Sequence, residues 1–113
     1  MPVRSLDSSV LKWPDHGAVD RAVREWAARA RGHPSLVRIG YAGSYARGDW
    51  GPGSDVDIIV IVGETTAPFE RRALDWDATD LPVPADVLVY TPDEWREQEH
   101  KGASIAREVV WVA

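Results

Sequence analysis

At 113 residues, with 18 acidic against 13 basic side chains and no cysteine, the chain has the length of one domain and a formal net charge of -5. A chain of this size buries roughly two-thirds of the surface it exposes when unfolded, enough for one modest core. The acidic balance argues against a broad footprint for nucleic acid or an anionic membrane, and the lack of cysteine excludes disulfides, a thiolate nucleophile and a cysteine zinc site.

The amino-terminal MPVRSLDSSVLKW has no apolar core of signal-peptide length. No stretch approaches the ~18 apolar residues of a membrane span. The expectation is one continuous domain over residues 1–113, cytoplasmic, without repeats or linkers.

From Asp15 to Arg31 the apolar residues Val19, Val23, Trp26, Ala27 and Ala30 recur at three- and four-residue spacings. This predicts an amphipathic helix that Gly32 and Pro34 end. Ser35–Tyr41 (SLVRIGY) has the character of a strand and delivers the chain to Gly43-Ser44, after which YARG allows at most a turn or two of helix. Gly48–Ser54 (GDWGPGS), with three glycines and a proline, is a loop. The run DVDIIVIV, Asp55–Val62, predicts a fully buried strand, central in its sheet, because its apolar residues are continuous rather than alternating.

Ala67–Thr79 is expected to form a helix with Phe69, Ala73, Leu74 and Trp76 inward, and Ala85–Tyr90 a third strand. Thr91, Pro92 and Glu94 have the spacing of a capping box at a following helix. The closing SIAREVVWVA returns Ile105, Val109 and Trp111 to a core, as a helix or as a helix followed by a short strand. The alternation implies an α+β domain of two or three layers, a small mixed β-sheet with flanking helices.

Asp55 and Asp57 stand at the mouth of the greasiest run in the chain. Two apart on a strand, they point to one face, where two carboxylates repel unless a cation sits between them. A hard divalent ion such as Mg2+, which keeps positions open for substrate phosphates, meets that requirement. Asp86 opens the third strand in the same manner and completes a carboxylate trio if the two strands are neighbours. The bland alternative has Asp55 accepting hydrogen bonds at the loop exit and Asp57 paired with an arginine. Gly43, Ser44 and the turn behind them suit a phosphate, and Arg47 either joins them or braces the loop. Trp50 either clamps the sheet or stacks on a base. Asp75 and Asp77 form a second Asp-x-Asp, but on a helix such residues do not face each other. His16, His33 and His100 have no metal-ligand spacing.

Gly43-Ser44, ten residues, then Asp-Val-Asp at 55–57 resembles the signature of the DNA polymerase beta-like nucleotidyltransferase superfamily. GSYARG and SDVDIIV look especially like the minimal nucleotidyltransferase (MNT) proteins, whose length is similar. The resemblance implies the nucleotidyltransferase fold, with Gly43 and Ser44 on a nucleoside triphosphate, and Asp55, Asp57 and Asp86 on catalytic magnesium. Asp86 would also help to activate the attacking hydroxyl. It further implies a HEPN-type helical protein as partner, the chain being the antitoxin half of a toxin–antitoxin pair that transfers AMP from ATP to a hydroxyl of that partner. Masking of the partner without catalysis, and adenylyl transfer to a small molecule, are the rival readings.

Overall fold

The computed structural model describes residues 13–113. Asp15 caps the first described helix, α1 (His16–Ala30), accepting a hydrogen bond from the Ala18 amide at 2.9 Å. Strand β1 (Leu36–Ala42) leads into the single turn α2 (Ser44–Arg47), and a glycine-rich loop returns the chain to β2 (Val56–Val62). A short helix α3 (Phe69–Arg72) and a 3-10 turn (Ala73–Asp75) precede β3 (Ala85–Tyr90). Helices α4 (Pro92–His100) and α5 (Ser104–Glu108) and the two-residue β4 (Val110–Trp111) complete the described elements.

The sheet order is β3-β2-β1-β4, with β2 parallel to β3 and the other pairs antiparallel. The apolar run of β2 is explained by cover on both faces. Val56, Ile58, Val60 and Val62 join Val19, Val23 and Trp26 of α1, whereas Ile59 and Ile61 join Tyr90, Trp95 and Ala42 beneath α4 and α5. Three layers result, helix over sheet over helices. Thr91 and Glu94 exchange side-chain-to-backbone hydrogen bonds in the expected capping box. The carboxyl terminus takes the helix-then-strand option.

The helix predicted over Ala67–Thr79 is corrected to two short pieces, because polar side chains bind the backbone in its place. The Asp77 carboxylate accepts from both the amide and the hydroxyl of Thr79, and the Asp77 carbonyl accepts from Trp26 Nε1 at 2.8 Å. Trp76 turns inward in extended conformation, its ring stacked on His33 at 4.5 Å. Phe69 and Leu74 do not form an inner face: they are 42% and 81% exposed.

Arg72 ties this irregular segment down. Its guanidinium donates to the carbonyls of Ala67 and Val89 and to both carboxylate oxygens of Glu94.

These burials predict a sharp contrast in urea unfolding. Ile58→Ala should cost about 2–5 kcal/mol, the range for truncating a packed aliphatic side chain. Leu74→Ser should stay within about 0.5 kcal/mol of the parent.

Candidate active site

Three segments meet at one end of the sheet. Ala42 at the end of β1 pairs with Asp57 on β2, and Asp57 pairs in turn with Asp86 on β3. The three therefore lie in a row across three strands, and Asp57 and Asp86 share a face because paired residues in a parallel ladder point the same way. Asp55 is the second residue upstream of Asp57, exposed and just before the strand begins.

Asp57 is the focus of the cluster. Burial raises its pKa above the usual carboxylate range, and the neighbouring charges of Asp55, Asp86 and Glu108 push it further in the same direction. The Arg47 guanidinium alone pulls it back. Among the described residues no three acidic or histidine side chains are gathered closely enough to enclose a metal ion by themselves. The carboxylates surround Asp57 without closing on one another.

Beside Asp57 the backbone turns at Gly43, whose φ of 95° and ψ of -160° belong to a region open essentially to glycine alone. A Cβ there would come within 3.2 Å of Asp57 Oδ2. Glycine thus serves twice, making the turn and admitting the carboxylate. Ser44 opens α2, which ends at Gly48 in left-handed conformation. Trp50, on the adjoining loop, lies parallel to Tyr45 with ring centroids 5.6 Å apart and packs, partly buried, against the core.

Glu108 closes the opposite side. Its Oε1 accepts from the Gly43 amide at 3.0 Å, and both its oxygens accept from Arg47 Nη1 at 3.2 Å. Arg47 also pairs with Asp49, so it links the loop to Glu108. Antiparallel pairing of Gly40 with Trp111 and Tyr41 with Val110, continued outward, brings Glu108 opposite Gly43. Gly40 makes this approach possible, since a Cβ there would stand 2.8 Å from the Val110 carbonyl oxygen.

The model of the nucleotidyltransferase domain matches residues 23–111, nearly the whole described chain. The chain belongs to the nucleotidyltransferase domain family. A candidate nucleotidyltransferase from Sulfolobus solfataricus has a similar fold, with a TM-score of 0.62, 19% identity, and coverage of 85% of this chain and 80% of that one. A toxin–antitoxin crystal structure with AMP-PNP is also similar, with a TM-score of 0.52, 18% identity, and coverage of 88% of this chain and 73% of that one. No curated protein matches the sequence.

Within this nucleotidyltransferase domain the structure brings together Gly43, Arg47, Asp55, Asp57 and Asp86, with Ser44 next in chain to Gly43. Asp75 and Asp77 are not in this row but on the segment before β3; Asp77 lines the same groove as Asp57 and Asp86, with its carboxylate occupied in the turn with Thr79. Sequence reasoning missed Glu108. Its signal was the one used for the aspartates: a lone carboxylate immediately before an apolar run, here VVWV.

Glu108→Ala should destabilise the nucleotidyltransferase domain by about 1–3 kcal/mol in urea unfolding, because the Gly43 amide loses its acceptor. Glu108→Gln, which keeps a carbonyl oxygen there, should recover part of that loss. Gly43→Ala should cost about 1–3 kcal/mol from backbone strain. The double variant should depart from additivity by about 0.5 kcal/mol or more, because both changes act on one contact.

Proposed function

We propose that the chain transfers a nucleoside monophosphate, AMP from ATP, to a hydroxyl on a protein partner, and that it thereby acts as the antitoxin of a HEPN-type toxin. The observation that carries the reading is Asp57: a half-buried carboxylate set among three others, with one arginine nearby whose charge is already shared by Asp49 and Glu108. Such a cluster lacks positive charge. A divalent cation supplies it, and the all-oxygen donor set suits Mg2+.

Asp55, Asp57 and Asp86 would hold that ion. Magnesium in nucleotide sites is commonly bound through one or two carboxylates plus substrate phosphates, so a ready-made protein cage is not required. The bound ion would neutralise phosphate charge and favour ionisation of the acceptor hydroxyl.

The chain's own residues supply the rest. Gly43 and Ser44 present a turn without a bulky side chain to the phosphates, and Arg47 and Glu108 keep that turn in place. Asp86 receives the proton as the acceptor oxygen attacks the α-phosphorus. The bond to the β-phosphate breaks and pyrophosphate leaves. Positioning and charge complementarity do the catalytic work.

The protein acceptor and the antitoxin role rest on the resemblance to minimal nucleotidyltransferases. The fold shared with a protein of a toxin–antitoxin structure that contains AMP-PNP supports the antitoxin role.

The test is intact mass spectrometry of a HEPN-type partner co-expressed with the chain or with its Asp57→Asn variant. The parent should add one or more adenylyl groups, and Asp57→Asn should lower transfer by at least about a hundredfold. The same variant should melt no lower than the parent, because it removes a repelled, half-buried charge. Undiminished transfer by Asp57→Asn would reject the reading.

A further inference from the structure

A groove of about 910 Å³ begins at Asp57 and Asp86 and leads away from Gly43. Its walls include Trp76, Leu81 and Val83, and its floor is four consecutive residues of β3, Ala85 to Leu88. Successive strand residues point to opposite faces, so a groove touching all four runs along the strand's edge rather than over one face.

That edge is open. Strand β3 ends the sheet order, with β2 as its partner. The Val56 amide donates to the Pro84 carbonyl at 2.9 Å, which fixes the phase of the parallel ladder. In that phase the backbone groups of Asp86, Leu88 and Tyr90 face β2, and those of Ala85, Val87 and Val89 face outward. The Val89 carbonyl is taken by Arg72. Among the described residues the groups at Ala85 and Val87 remain without a partner, and they flank Asp86.

We infer that this edge is the acceptor-binding surface, and that the acceptor docks on it as an extended polypeptide segment adding a short strand to β3, with its serine, threonine or tyrosine hydroxyl presented beside Asp86. The inference rests on the proposed nucleotidyl transfer and adds the form of the substrate. An added strand lies about 4.8 Å from β3, which continues the row of paired positions outward. Across the sheet the order becomes the Gly43 turn, Asp57, Asp86 and then the acceptor residue. Donor phosphates and acceptor hydroxyl thus reach the carboxylates from opposite sides. Main-chain hydrogen bonds would supply affinity, as in other strand-addition complexes. The open stretch is short because Arg72 closes it after Val87, which suits a few residues of a flexible segment and not a long strand-to-strand interface.

Val87→Pro tests this. Proline removes the outward amide of residue 87, takes no bond from β2, and is tolerated on edge strands. The probes are Mg2+ with ATP and short unstructured synthetic peptides, each with one central tyrosine, threonine or serine. Wild-type protein should nucleotidylate peptides. Val87→Pro should lose about tenfold or more in kcat/KM for them while binding Mg2+-ATP as tightly as wild type. Should that variant fail to fold, N-methylation along a reactive peptide gives the second test: loss of modification should alternate from one amide to the next, as only alternate amides of an added strand face β3.

Equal peptide turnover by Val87→Pro, or indifference to N-methylation, would overturn the inference and leave nucleotidyl transfer intact. Modification of small hydroxyl compounds but of no peptide would overturn it too. A solution dimer that Val87→Pro converts to a monomer would assign the edge to a second copy and overturn it. A wild-type protein that modifies no hydroxyl acceptor of any kind would instead reject the proposed function itself.

Discussion

The site depends on β2 being hydrogen-bonded on both sides at one level. Ala42 and Asp86 are its partners at Asp57, one in an antiparallel ladder and one in a parallel ladder. Because side chains alternate, a slip of one residue in either ladder would turn Asp57 into the core beneath α1 and bring Ile58 to the surface of the other layer. The apolar residues Ile58–Val62, buried between two helical layers, prevent that slip. The greasiest strand in the chain is thus the device that holds a carboxylate in register.

The treatment of charge differs sharply between two parts of the molecule. Arg72 is largely buried, and four of its five N–H donors are answered, by two carbonyls and by both oxygens of Glu94. The Glu94 carboxyl is accordingly held below its usual range, chiefly by the hydrogen bond from Arg72. Asp57 shows the reverse, its carboxyl raised by burial and then by three neighbouring carboxylates. The structural ion pair is compensated within the fold, whereas the charge around Asp57 is not. Net stability of a domain this size is small enough that an uncompensated cluster is costly to keep without a use.

Much of this was legible in the sequence because its physics is local. A strand buried on both faces is written as an unbroken apolar run, a capping box as Thr91 and Glu94 three apart, and a tight strand-to-helix turn as Gly43 followed by Ser44. The Ala67–Thr79 helix failed because its outcome is decided elsewhere. Trp26, some fifty positions away in sequence, takes the Asp77 carbonyl, and Asp77 itself prefers Thr79. Glu108 escaped for the same kind of reason. Its partner Gly43 is 65 residues distant, and only the pairing of β4 with β1 brings them together. The position of Asp86 beside Asp57 lay between these cases: its strand could be read, but its neighbour had to be supposed.

The two edges of the sheet explain how so short a chain can divide its labour. On one side β4 comes close against Gly40, and the residue that precedes it by two, Glu108, reaches the Gly43 amide and Arg47. That edge is spent on holding the turn beside Asp57. On the other side, among the described residues, β3 is restrained at one point, by Arg72 on the Val89 carbonyl, and is open from there toward Asp86. Proteins usually blunt an exposed edge because it invites pairing with another chain. Here Arg72 blunts β3 at Val89, and among the described residues no group blunts the near half, next to the carboxylates. The inferred strand addition is thereby stopped at Val89 and falls beside the candidate catalytic row, where the hydroxyl of the proposed reaction would meet the nucleotide.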